Sequence, residues 1–115
     1  MIVTTADAIE DLQVQAYLGI VRGIAVRVPS LRQGFQALGN VLSGNPQASS
    51  DLYAEMCEAV RAEAHQRMVD HAAQLGADAI IAMRYESAQI GEAMSEVLAY
   101  GTAVKLKIPS ATQVG

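Results

Sequence analysis

Apolar and polar positions alternate with a period of two along Gln13 to Val28, where Val14, Ala16, Leu18, Ile20, Ile24, Val26 and Val28 share one register and only Arg22 breaks it. That pattern predicts a long strand with one apolar face. Gly19 and Gly23 fall in the opposite register, where a missing side chain allows a bulge, a bend, or the close approach of another backbone. Before this strand, Ile2-Val3-Thr4-Thr5 is short and β-branched and reads as an edge strand, followed by an acidic loop from Ala6 to Asp11. Past Pro29 the period changes. Leu31, Phe35, Leu38, Val41 and Leu42 recur at helical spacing behind a Ser30 cap, and Ser43 to Ser49 forms a loop.

A second, longer helix is expected from a Ser49 or Ser50 cap to Leu75, closed by Gly76 in the left-handed position. Its apolar residues, Leu52, Met56, Val60, Ala64, Met68, Ala72 and Leu75, recur mostly every four residues. Steps of four lag a 3.6-residue turn by about 40° each, so the stripe winds around the helix and meets more than one surface. The helix then feeds directly into a strand predicted over Ala79 to Glu86. A turn over Ser87 to Ala93 leads to a last strand, Met94 to Ile108. On that strand Val97, Ala99, Gly101 and Ala103 form a row of small side chains, which places the helices on that face. Met94, Glu96, Leu98, Tyr100, Thr102, Val104, Leu106 and Ile108 share the other. The pattern as a whole predicts an α+β fold in β-β-α-α-β-β order, a small antiparallel sheet with two helices on one face. Residues 1–108 make one domain and 109–115 a tail.

Composition adds a size and a suspicion. At 115 residues the chain supports one core. With 51% hydrophobic and 17% charged residues it is rich in apolar side chains for a small monomer, so part of its apolar surface is expected to lie between subunits. No apolar run is long enough to span a bilayer, and Asp7, Glu10 and Asp11 argue against a signal peptide, so the expected location is cytoplasmic. A net charge of -4 with eight scattered Lys and Arg argues against a nucleic-acid partner.

Two stretches carry a resemblance. Leu75-Gly76-Ala77-Asp78-Ala79-Ile80-Ile81 with Arg84, and Glu96-Val97-Leu98-Ala99-Tyr100-Gly101-Thr102-Ala103-Val104, resemble the YbjQ-like family of putative heavy-metal-binding proteins. Val3-Thr4-Thr5 and Tyr17-Leu18-Gly19-Ile20-Val21-Arg22-Gly23 are similar to that family's opening. The resemblance implies a dodecin-like/YbjQ-like α+β fold and a homo-oligomeric ring, commonly a pentamer. Family members often carry an acidic residue after the glycine matching Gly23; here Ile24 stands in its place.

The chemistry on offer is sparse. Cys57, His65 and His71 are the only thiol and imidazole groups, and all belong to the long helix. Cys57 and His65 are separated by about 12 Å along the axis and His71 by about 9 Å more, so a divalent or soft metal ion would need them completed across subunits. The plainer reading makes Cys57 a small buried hydrophobe and the histidines solvated. Arg84 and Glu96 are expected opposite each other in a hairpin centred near Ile90, either as a cross-strand ion pair or, with Tyr100 and Thr102, as the lining of an intersubunit cavity for an anionic ligand. No nucleophile elbow, phosphate loop or dinucleotide fingerprint is present, so binding or a structural role is expected in preference to catalysis.

Overall fold

A computed structural model of the chain describes residues 1–27, 38–39, 42–44, 46–91 and 94–107. Four strands, β1 (Ile2–Val3), β2 (Val14–Arg27), β3 (Ala79–Ile90) and β4 (Met94–Leu106), form one sheet in the order β1-β3-β4-β2. One long helix, α1 (Pro46–Gln74), crosses from β2 to β3. The expected helix from Leu31 to Leu42 lies mostly outside the described residues; within it Leu38, Gly39 and Leu42 are helical and exposed.

The sheet is mixed, whereas the sequence pattern led to an antiparallel one. β1 runs parallel to β3, pairing Ile2 with Ala79 and Val3 with Ile80. A two-residue strand has no pattern from which direction can be read. Its direction follows from the connection instead: β1 and β2 occupy opposite edges, and the chain between them must return across a face of the sheet. On the way the Thr4 amide donates to Ile80 O, Ala6 O accepts from Ala82 and Thr4 O from Met83. Ile9 and Leu12 then pack on Ala79, Ile81, Val104 and Leu106, closing a small second core.

The main core lies on the opposite face. Val21 and Ala25 of β2, Ile80 and Met83 of β3, and Val97, Ala99 and Ala103 of β4 meet Ala64, Met68 and Ala72 of α1. The row of small residues on β4 does face the helix, as its composition indicated. On β2, however, the buried register is Val21, Gly23 and Ala25, and the apolar even register from Ile20 to Val26 points away from α1. Alternation identified the strand correctly but not which face is covered, because both registers of its second half are largely apolar or glycine.

Glycine explains how closely the helix sits. A Cβ built on Gly23 would fall 2.0 Å from Ala64 O and 2.4 Å from the Met68 amide nitrogen, so the backbone of α1 rests directly on β2 there. Gly19, at φ 113°, lies where the β2–β4 register shifts, the bulge its position allowed. Helix α1 begins at Pro46, a residue suited to the first helical turn, several residues before the expected serine caps. It ends at Gly76, φ 75°, with the Ala77 amide bonded to Ala72 O and the Gly76 amide to Ala73 O, a closure that only a left-handed residue permits cheaply. Asp78 then ties this corner to β4: its amide donates to Val104 O, and its Oδ2 accepts from the Leu106 amide at 2.9 Å. Of the wound stripe, Met56, Ala64, Met68 and Ala72 are buried, while Leu75 is exposed.

Candidate functional site

The even residues of β2 from Ile20 onward, the even residues of β4 and the even residues of β3 beyond its bulge share the face turned away from α1. Residues 4–13 cover the half of this face around Val104 and Leu106; none of the described residues covers the other half. Three apolar side chains of β2 stand there, with Ile20 73%, Ile24 42% and Val26 49% exposed. Ile90 and Met94, partners across the hairpin, extend the apolar border, and Leu98 sits between Ile24 and Glu86.

The polar candidates occupy the middle of this border. The hairpin pairs Ile90 with Met94, so Ala88 faces Glu96 and Arg84 faces Tyr100. The expected opposition of Arg84 and Glu96 is therefore corrected: β3 runs on to Ile90, and the turn begins at Gly91, φ 70°, later than a turn over Ser87 to Ala93 would place it. A bulge between Ile81 and Arg84, with Ala82 at φ 52°, sets the remaining register. Gly101 lies beside that bulge, and a Cβ there would meet Ile80 Cγ2 at 2.6 Å. Thr102 pairs with both Ile81 and Ile20 on the same face, one step below Tyr100.

Arg84 is already committed: its Nη1 donates to Thr5 O and Met83 O, both at 2.8 Å, which staples the segment after β1 to the bulge. Glu86, which the sequence reading did not single out, is the residue that joins the cluster. Its Oε1 accepts from the Tyr100 hydroxyl at 3.0 Å, and Glu86, Ser87, Ala88, Glu96 and Leu98 line an open recess. Its position two residues beyond Arg84 on the same strand face was legible; its diagonal contact with Tyr100 depended on the register. The hydrogen bond to Glu86, aided by desolvation and by the Glu86 charge, raises the Tyr100 pKa above its ordinary value, with Arg84 opposing. A raised tyrosine is held neutral by the fold, so the stabilisation is whole below the ordinary phenol range near 10 and lost as pH rises through the folded value. In an ultraviolet titration Tyr100 should ionise above that range, and Glu86→Gln should bring it back down.

The helix candidates do not converge. Cys57 is exposed, and the Arg27 guanidinium lies beside it, Nη1 at 3.9 Å from its Sγ and Nη2 at 3.8 Å from Met56 Sδ, while also resting 5.4 Å from the Tyr53 ring centre. A fixed cation next to the thiol opposes a second cation there. His71 Nδ1 accepts the Arg22 amide at 3.3 Å, and Arg67 donates to Ile24 O and pairs with Glu63. These two side chains of α1 close the outer edge of β2 on either side of Gly23. His65 is half-buried one turn before Val69, with no partner among the described residues that would complete a metal site. His71→Ala should leave the Arg22 amide without an acceptor, costing about 1 kcal/mol and accelerating its hydrogen exchange, which NMR can follow residue by residue.

Comparison with known proteins agrees with this architecture. Residues 1–107 match a family model described as "Putative heavy-metal-binding". The chain is 49% identical over 105 residues to the UPF0145 protein lpg0197 of Legionella pneumophila, covering 90% of this chain and 96% of that one. It is 44% identical to a UPF0145 protein of Chromobacterium violaceum, covering 91% and 87%, and 40% identical to one of Francisella philomiragia, covering 93% and 100%. A crystal structure of a protein of unknown function from Pediococcus pentosaceus, assigned to the DUF74 family, shares the fold with a TM-score of 0.61 at 17% identity over 93% of this chain and 98% of that one. No helix among the described residues is long and apolar enough to cross a membrane. From the motifs at the Gly76 corner and along β4, through the sheet they build, to these relatives, the chain belongs to the YbjQ family of UPF0145 proteins.

Proposed function

We propose that this protein is a homo-oligomeric binding protein, its open sheet face closed by further copies of the chain and its Glu86–Glu96 recess holding a cation at the seam. The observation that carries this reading is the juxtaposition on one uncovered face of exposed apolar residues, Ile20, Ile24 and Val26, with a recess bearing two carboxylates. Burying apolar area contributes about 25 cal/mol per Å², so a face of this kind is stabilised by contact with another such surface. The pentameric ring implied by the family resemblance is the first stoichiometry to test.

The recess favours a cation because Glu86 and Glu96 line it, whereas the Arg84 guanidinium is drawn aside to Thr5 O. Carboxylate oxygens suit hard or borderline divalent ions such as Mn²⁺ better than soft thiophilic ones. The family description of heavy-metal binding supports a metal cation as the ligand, without its hardness. A binding role fits better than an enzymatic one: the Tyr100 proton is held by Glu86, the reverse of an activated base. The exposed free thiol of Cys57 fits the reducing cytoplasm.

Calorimetric titration with Mn²⁺ and Cd²⁺ tests the site. Wild type should bind Mn²⁺, and Glu86→Gln with Glu96→Gln should weaken binding at least about tenfold, a loss of about 1.4 kcal/mol. An assembled protein that binds neither ion would refute the cation site and leave a structural ring.

A further inference from the structure

The open face carries a cation that its own chain leaves unpaired. Arg22 stands in the even register of β2 between Ile20 and Ile24, exposed and opposite Tyr100. His71 takes its amide, but among the described residues no acceptor meets its guanidinium, and neither ion pair found there includes it. Glu96 is the matching case on β4. It is half-buried, lines the recess, and has no ion-pair partner among the described residues either. The two do not meet within one subunit: Glu96 is opposite Val26 and Arg22 opposite Tyr100, four residues of strand apart, about 13 Å.

Covering this face sets a condition on the occupant. A surface that buries Ile20, Ile24 and Val26 also strips water from the guanidinium among them, and a charge so buried is costly unless a carboxylate pairs with it. The occupant must therefore bring an apolar patch and an anionic side chain on one surface. A second copy of this chain brings both, because Glu96 stands on the same face, one step from the apolar Ile90–Met94 pair. The match is reciprocal: each copy offers the charge that the other lacks.

We infer that Arg22 of one copy pairs with Glu96 of a second copy across the open face, so that the partner copy contributes a guanidinium to the recess. This rests on the homo-oligomer proposed above and names the charge pair that sets its register. A ring makes the pair once at each seam, and a two-fold joint makes it twice. Because Glu96 also lines the recess, a metal bound there draws that carboxylate away from Arg22, which couples cation binding to the strength of the joint.

Sedimentation velocity over a concentration series, on the full-length protein and its charge variants, tests it, with urea unfolding of each variant to establish a folded subunit. Arg22→Glu and Glu96→Arg should each weaken association at least about tenfold, and the two together should restore it to within about threefold of the wild type. Arg22→Gln and Glu96→Gln remove charge at nearly constant size and give a second cycle. Each should weaken association, and the double variant should be no weaker than the weaker single one. Single variants that assemble like the wild type, or double variants whose losses simply add, overturn the Arg22–Glu96 pair but not the oligomer. A wild-type monomer at every concentration overturns both.

Discussion

Gly23→Ala should be the most damaging small substitution in this chain, lowering stability by at least about 3 kcal/mol and leaving a fraction of the protein unfolded without denaturant. The added methyl would lie 2.0 Å from Ala64 O, 2.4 Å from the Met68 nitrogen and 2.8 Å from Arg67 Cβ. Two of these are backbone atoms in the middle of a long helix, so no rotamer change relieves the clash. Helix α1 must lift from β2, which opens the core around the fully buried Met68 and pulls His71 and Arg67 off the Arg22 amide and Ile24 carbonyl. Gly19→Ala is the informative control. Nothing lies within 4 Å of a Cβ there, but φ is 113°, so its cost is backbone strain alone, about 1 to 3 kcal/mol. Urea unfolding of the two variants beside the wild type should rank Gly23→Ala well below Gly19→Ala. Equal midpoints would mean that α1 does not rest on β2 as described.

The second large effect concerns assembly. Ile20→Glu with Ile24→Glu should abolish self-association while leaving each subunit folded. Both side chains are exposed in the single chain, and substitutions at exposed positions usually change stability by no more than about 0.5 kcal/mol. In an interface the same carboxylates would be stripped of water against apolar neighbours, at a cost of a few kcal/mol each, which corresponds to a loss of a thousandfold or more in association. A variant that melts with the wild-type urea midpoint yet sediments as a single subunit separates assembly from folding. A variant that remains assembled would place the interface elsewhere.

How much of this was legible in the sequence depends on the kind of signal. The Gly76 closure, the entry of α1 into β3 and the small-residue face of β4 followed from local chemistry: a left-handed position that glycine adopts cheaply, and a stripe with room for a helix. Gly23 was visible as a place of close approach, and its contact with α1 is what that register allowed. Three features were not legible. The parallel pairing of β1 arises from a chain crossing and leaves no trace in two residues. The covered face of β2 is set by where α1 lies, since Val21 and Ala25 are as apolar as Ile20 and Ile24. The hairpin register depends on Gly91 and on the bulge at Ala82, and a shift of a few residues moved Glu96 from Arg84 to Ala88 and brought Glu86 to Tyr100. That last case shows why the site was read only in part. Arg84, Glu96, Tyr100 and Thr102 share a face by simple alternation, but which of them touch depends on non-local pairing.

The helix that carries Cys57, His65 and His71 now has a different meaning. His71 and Arg67 serve as edge closures for β2, and Arg27 stands guard over the thiol, so α1 holds the sheet in shape while the groups suited to binding lie on the far side. One face thus serves packing, and the other is the face proposed above to contact other molecules.

Sedimentation velocity on the wild-type protein over a range of concentrations tests the central claim most directly. The assembly proposed above predicts a particle of two or more 12.2 kDa subunits, with the pentamer expected first. A single species of 12.2 kDa at every concentration would contradict it, and with it the seam at which the Glu86–Glu96 recess is proposed to bind.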